Sequence, residues 1–351
     1  MPNPLHLVGS IPLDTVQDVF ESFGAQLGAH MVTLPDGEVG PRSHWINRVH
    51  YQVLAGHPDF ETLRRPAPEH GVERVNPRRS GDSWLFKVRD GVDRVRFGDP
   101  GWRLGYARDA LSSYFVFQTL RQKGVLNSNL RFQVSMPSVN SVIPTRIFPD
   151  IADVEKIRPG YEDALAAEIE NIVDRIPADD LAIQWDCTTE MQDAYGTLAD
   201  LPALDAEGRI ERNLGQFQRL RRAIPDETLL DFHLCFGTLG GWPRFAPDDL
   251  LGAVAMANAM IAETGRRVDW IHIPVLDRVD DAYFAPLAGL KPGATRVYLG
   301  VIHNMARLEQ RIAAARKYLP EFGVSAYCGY GREQPSEMPR LLDDHLTAAA
   351  L

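Results

Sequence analysis

Cysteine is scarce in this chain of 351 residues: Cys187, Cys235 and Cys328 are all there is, and they stand far apart. An odd, widely spaced set argues against a disulfide framework. It fits thiols kept reduced, which serve more often as metal ligands or catalytic groups. Long apolar runs are lacking too. The longest, Leu250 to Ala262, is shorter than a bilayer is thick and carries Asn258, so no membrane partner is expected. No charged-then-apolar leader opens the sequence. Basic charge is nowhere massed: Arg78-Arg79 and Arg221-Arg222 are isolated pairs in a chain of net charge −10. That argues against nucleic acid as a partner. Internal repeats, low-complexity segments and a G-x-G-x-x-G turn after the first strand are also absent. These absences leave a cytoplasmic protein acting on small molecules as the expectation.

What is present is an alternation. Strand-like runs occur at Leu5–Ser10, His30–Leu34, Arg131–Met136, Leu181–Asp186, Thr228–Cys235, Val268–Ile273, Thr295–Val301 and Gly323–Cys328. Their apolar residues are often continuous, as in parallel strands buried on both faces. Helical patterns lie between them at 14–28, 108–123, 160–176, 209–223, 248–264, 304–319 and 333–349. Leu165, Ile169, Ile172 and Val173 mark one face of the third, and Leu308, Ile312, Ala315 and Leu319 one face of the sixth. Eight strands alternating with helices fit a closed barrel or a doubly wound sheet, and the missing glycine-rich turn weighs against the nucleotide-binding form of the latter. Length alone permits two domains, but barrels of this class take about 250 residues or more as one. The expected fold is therefore an α/β, (β/α)8 TIM barrel, with residues 1–351 as a single domain.

One stretch breaks the alternation. Residues from about 50 to 106 are rich in Pro, Arg and Gly, and Trp84-Leu85-Phe86-Lys87-Val88 reads as part of a hairpin. We read this stretch as an insertion on the second βα connection. Such a loop serves as a lid, a substrate wall or an oligomer contact, or is merely decorative; it offers surface for a homodimer.

Candidate chemistry sits at the carboxyl ends of the strands, the active-site rim of a barrel. His233 and Cys235 are two apart on the fifth predicted strand, so both project from one face. The eighth strand lies three strands from the fifth, across the mouth, and Cys328 at its end can close around the same ion. Sulfur with imidazole suits Zn²⁺, and a catalytic zinc keeps one position for substrate. Other rim residues are Ser10, Glu38 with Arg42 and Trp45 close behind, Trp185 and Asp186, His303, and Arg332. Each of Arg42, Arg332 and Asp186 could equally be one half of a surface ion pair.

In this order the residues resemble the catalytic domain of cobalamin-independent methionine synthase, one of a group of zinc-dependent barrels that alkylate thiols. The resemblance rests on Gly9-Ser10-x-Pro12, Gly37-Glu38 with Arg42, Pro137, Gln184-x-Asp186, His233-x-Cys235, Leu299-Gly300-Val301 and Cys328-Gly329. It covers most of the barrel and leaves out 50–106. It implies that His233, Cys235 and Cys328 are zinc ligands, that Glu38 and Asp186 hold the amino group of homocysteine, and that Ser10 sits near its carboxylate. His303 falls near the family's seventh-strand acid–base residues.

Two positions depart from the family. A glutamate ligand is expected at the end of the sixth strand, where Pro274 stands; His272, two residues earlier on the same face, can substitute, or three protein ligands suffice. An Asp-Glu pair is expected where Asp186-Cys187 stands, and Cys187 is a further ligand or a buried structural thiol.

The resemblance implies transfer of a methyl or other alkyl group, in the archetype from a folate, to a zinc-held thiol. The alternative from the residues themselves is a zinc lyase or hydrolase acting on an aromatic molecule, with Trp84, Trp185, Trp242, Tyr327 and Tyr330 lining its pocket. A metal-free binding protein on a degenerate barrel is the third.

Overall fold

The computed structural model describes residues 3–98 and 103–351. In chain order the strands are β1 (Leu5–His6), β2 (Thr33–Pro35), β3 (Phe60–Arg64), β4 (Leu85–Val88), β5 (Arg131–Pro137), β6 (Leu181–Cys187), β7 (Leu229–Leu234), β8 (Trp270–Pro274), β9 (Arg296–Ile302) and β10 (Gly323–Ala326). All but β3 and β4 join one sheet in the order β1-β10-β9-β8-β7-β6-β5-β2, every pair parallel. A parallel bridge between Leu5 and Met31 brings the two ends together. A doubly wound sheet would leave both edges open; this one closes into the (β/α)8 barrel that the alternation predicts.

The seam between β1 and β2 is held differently from the others. Beyond the single bridge, the Ile11 amide donates to the Gly37 carbonyl (2.7 Å) and the Ser10 hydroxyl is hydrogen-bonded to Glu38.

Period two decides what each strand offers. All seven residues of β6 are buried, as in a strand covered on both faces. Gln184 and Asp186 point into the barrel: Gln184 meets His6 (3.0 Å), Gln133 (3.1 Å) and the Val8 carbonyl (2.7 Å), and its amide donates to Asp186 (2.8 Å). Ile183, Trp185 and Cys187 therefore face outward, toward the helices. On β7 the inward set is Asp231 and His233, in register with Gln184 and Asp186.

Between β2 and β5, β3 and β4 form an antiparallel hairpin. Phe86 of β4 donates its amide to the Ile147 carbonyl (2.9 Å), and the Val88 amide donates to Asp153 (2.9 Å). Trp84 stacks on Phe86 with ring centroids 5.7 Å apart, and both Phe60 and Phe86 pack on Phe148.

The helix expected at 160–176 runs instead over Ile151–Val173. Pro159-Gly160 reads locally as a breaker, yet the helix passes through it. Asp150 caps the earlier start by accepting from the Ala152 amide (2.9 Å). The Val95 amide donates to the Lys156 carbonyl (3.1 Å), and a side chain at Gly160 would collide with the Val95 carbonyl. The strip around Val95 thus docks where the Pro-Gly pair leaves the helix bare. Among the described residues no helix is long and apolar enough to cross a membrane.

Candidate metal centre and substrate cavity

β7 and β10 are separated by β8 and β9 in the sheet, so their ends face each other across the mouth. There His233 Nε2 lies 3.4 Å from Cys328 Sγ, and Cys328 Sγ lies 3.5 Å from Cys235 Sγ. All three donor atoms fall within 4.8 Å of one another. Tetrahedral zinc, with bonds of about 2.3 Å to sulfur and about 2.0 Å to nitrogen, sets its donors roughly 3.5–3.8 Å apart. The spacing fits. The Gly237 amide also donates to Cys235 Sγ (3.3 Å), a bond that favours thiolate. The Cys328 thiol donating to Cys235 is the largest influence drawing Cys235 well below the ordinary thiol range, and the same bond pushes Cys328 up. One sulfur of the pair is thus ready to ionise.

The loop carrying Cys328 is held from the other side of the barrel opening. Gly329 packs so closely on Ser10 that a Cβ would lie 2.7 Å from the Ser10 nitrogen, and the Tyr330 amide donates to the Ser10 carbonyl (2.5 Å). The Cys-Gly pair needs its glycine for that approach.

His272, expected as a substitute fourth ligand, is not part of this group. Its Nε2 lies 2.9 Å from the Ala326 carbonyl, which can only accept, so Nε2 carries the hydrogen. Burial, then the neighbouring His233 and His6, hold its pKa well below the usual value, so the ring is neutral. Its bare Nδ1 faces His233 Nδ1 at 2.7 Å, and His233 must be the donor. In the neutral ring that leaves the lone pair of His233 on Nε2, the nitrogen beside the sulfurs. His272 therefore sets the tautomer of a donor instead of acting as one. Pro274, two residues on, ends β8 buried and offers nothing to a metal.

A cavity of about 830 Å³, open to solvent, lies over this group; Ser10, Glu38, Asp186, Cys235 and Cys328 are among its walls. Burial raises Asp186 to about 7. Glu38 is raised to about 8, first by burial and then by Asp186 and Asp36. Its Oε1 is buried with no hydrogen-bond partner, suited to a substrate ammonium group or to delivering a proton. Glu38 takes a φ of 50°, and Asp36 accepts its amide (2.9 Å). Arg42 is engaged with that same Asp36 (2.6 Å), as is Ser113 (2.6 Å), and it lines a smaller adjoining cavity of about 390 Å³. Arg42 steadies the Glu38 turn and stands outside the main cavity.

The barrel as a whole is shared. A solved Listeria monocytogenes protein, provisionally described as a vitamin-B12 independent methionine synthase, superposes with a TM-score of 0.54 at 16% identity, over 99% of this chain and 98% of that one. A provisionally described phosphonomutase from Burkholderia cenocepacia (TM-score 0.34, 13% identity, 67% of this chain and 79% of that one) is a weaker match. So is homocysteine methyltransferase MmuM of Escherichia coli in its apo form (0.32, 15%, 68% and 73%). No family model and no curated protein matches the sequence. The likeness to the Listeria protein establishes a common fold.

Several expected site residues are elsewhere. Trp185, fully buried, packs edge-on against Phe217 of the helix Ala206–Leu220, away from the cavity. Cys187 is likewise outward; its thiol contacts the Trp185 carbonyl (3.7 Å), and burial pushes its pKa well up, as for a structural thiol. His303 lies edge-on to Tyr327, its Nε2–H donating to the Val275 carbonyl (2.7 Å). Burial, then Arg311, lowers it to about 4, so at neutral pH it is no acid, and it does not line the cavity. The aromatic lining dissolves too. Trp84 is in the hairpin, Tyr330 lies against His345, and Trp242 stacks on Tyr327 at 4.4 Å. Sequence reasoning missed Arg146 and Arg244, which reach the cavity from the loops after β5 and β7. Their one signal was position on βα loops, which many residues share.

Proposed function

We propose that this chain is a zinc-dependent enzyme that ionises a small thiol and transfers an alkyl or methyl group to it. The observation that carries the reading is the His233–Cys235–Cys328 group at the mouth of the barrel, its donor atoms within 4.8 Å and one side open to the cavity. Three protein donors would leave a bound zinc one position for substrate, as at catalytic rather than structural sites.

A thiol of pKa about 8.5 costs about 2 kcal/mol to ionise at pH 7. When bound, zinc supplies a Lewis acid that holds the substrate's sulfur as thiolate at neutral pH. The residues of the chain supply the rest. His233 is locked by His272 with Nε2 bare, and Gly237 stabilises the negative charge on Cys235. The sulfur attacks the alkyl carbon, the bond from that carbon to its carrier breaks, and the electron pair leaves with the carrier. Asp186 or Glu38, each retaining a proton near neutrality, protonates the departing group; the thiol's own proton is lost to solvent on binding. In this reading the acid is one of the cavity carboxyls, in the role the resemblance implied for His303.

The test is metal analysis of protein purified without added zinc, followed by a screen of small thiols, homocysteine included, with methyl donors including a methylfolate. Stoichiometric zinc with thiol turnover supports the reading. Zinc with no thiol bound or turned over would leave a lyase or hydrolase, and active metal-free protein would sink both.

A further inference from the structure

The cavity holds positive charge that its metal donors and carboxyl groups leave unexplained. Arg146, Arg244 and Arg332 all line it, in a protein of net charge −10. Arginines outside the cavity find carboxylates, as Arg42 does Asp36 (2.6 Å) and Arg219 does Glu162 (2.6 Å), or backbone carbonyls, as Arg266 does Thr228 (2.6 Å). Among the described residues these three form no ion pair. Arg332 at least reaches the Ser43 carbonyl (3.4 Å) and His44 (3.2 Å).

Arg146 and Arg244 are the sharper case. The Arg146 guanidinium has two long contacts, to Thr189 Oγ1 (3.3 Å) and the Ser141 carbonyl (3.4 Å), and its Nε is buried with no partner. Glu190 is the carboxyl acting on it, but that group already accepts from Ser138 (2.7 Å), Ser141 (3.3 Å) and Gln216 (2.9 Å). Burial, then the charge of Arg244, lowers Arg146 to about 9. Arg244 is fixed by its backbone. Its amide donates to the carbonyls of Phe236 (3.1 Å) and Gly237 (3.0 Å), and a Cβ on Gly237 would lie 2.9 Å from Arg244 Cβ. Gly237 is two residues beyond Cys235, so the loop that supplies the thiolate also holds Arg244 beside it. Among the described residues its guanidinium makes no hydrogen bond.

Two half-buried, neighbouring cations with no carboxylate among the described residues in ion-pair reach are unfavourable, since Glu190 is spent on other donors and Cys235 acts on Arg244 only through space. The planar forks of arginine match carboxylate, sulfonate and phosphate. We propose that the Arg146–Arg244 pair receives an anionic group of the substrate, which makes the substrate class a small thiol bearing a carboxylate, sulfonate or phosphate. The thiol half of this statement rests on the function proposed above; the anion half stands without it.

The experiment is calorimetric titration of the full chain, zinc-loaded and metal-stripped, with 3-mercaptopropionate, 2-mercaptoethanol and 2-aminoethanethiol, and with propionate and inorganic phosphate, which lack sulfur. The zinc-loaded protein is expected to bind 3-mercaptopropionate at least tenfold more tightly than the neutral and cationic thiols. Arg244→Gln should shrink that preference below threefold, and Arg244→Lys should restore part of it. Arg146→Gln should act likewise where its melting curve shows it folded; Arg244, nearer solvent, carries the test otherwise. Equal affinities for the three thiols, or a preference untouched by Arg244→Gln, overturns the proposal. Arginine-dependent binding of propionate or phosphate with no thiol bound upholds the anion site and removes the thiol reading instead.

Discussion

His233 and His272 face each other Nδ1 to Nδ1 at 2.7 Å, and the Ala326 carbonyl on the far side of His272 fixes the direction of the hydrogen bond between them. A carbonyl on β10 thereby determines which nitrogen of a β7 histidine is free to bind a metal, through a ring on β8. Such a partner behind a ligating imidazole orients it and raises its basicity.

Replacing His272 by Gln should therefore weaken zinc binding by about 10–100-fold without removing the three donors. Competition against a chromophoric chelator measures it. Affinity within twofold of wild type would show that His233 needs no such partner.

The wild-type chain should carry one zinc, and Cys235→Ser or Cys328→Ser should each lose it, while Cys187→Ser should keep it. Elemental analysis after gel filtration decides the matter. Zinc retained by both of the first two variants would place the ion elsewhere.

Thiol reagents should sort the cysteines by environment. In stripped, folded protein the Cys235–Cys328 pair should react readily, since one sulfur is drawn toward thiolate. Cys187, fully buried and pushed well up, should stay silent until the chain unfolds. Zinc should protect the pair. Fast modification of three thiols in the folded state would contradict this placement.

Glu38 should leave a mark on the pH dependence of stability in stripped protein. Its pKa is raised from 4.5 to about 8, so its contribution is fully present below 4.5 and lost as pH rises through 8. Glu38→Gln keeps the shape and removes the titration. The variant's melting temperature relative to wild type should therefore be higher at pH 8.5 than at pH 5.5, by about 2–5 °C for a loss of a few kcal/mol. An offset that does not change with pH would mean that Glu38 titrates normally.

Much of this was legible in the sequence, for local reasons. Parallel strands covered on both faces leave continuous apolar runs, so all eight barrel strands could be marked. His233 and Cys235 stand at the spacing that aligns side chains on a strand, which made their juxtaposition readable. The same period was under-used one strand earlier: with Gln184 and Asp186 facing inward, Trp185 and Cys187 had to face out. The role of His272 was not legible, because it depends on a carbonyl 54 residues away. Nor were Arg146 and Arg244, which sit on loops without periodicity; their meaning lies in partners they lack, which no sequence pattern records.

The seam between β1 and β2 gives the barrel an uneven hoop strength. Seven junctions are laced by strand ladders, whereas this one is clasped by the Leu5–Met31 bridge, the Ile11–Gly37 bond and the Ser10–Glu38 contact. Two of the residues in the clasp, Ser10 and Glu38, also wall the cavity. With the fewest ladder bonds, this line is where local opening is expected to begin, and the Ser10–Glu38 wall of the cavity would open with it. A ligand that bridged Ser10 and Glu38 would act as a rivet, and slowed amide exchange around Leu5–Ile11 and Met31–Glu38 would register its presence before any product forms.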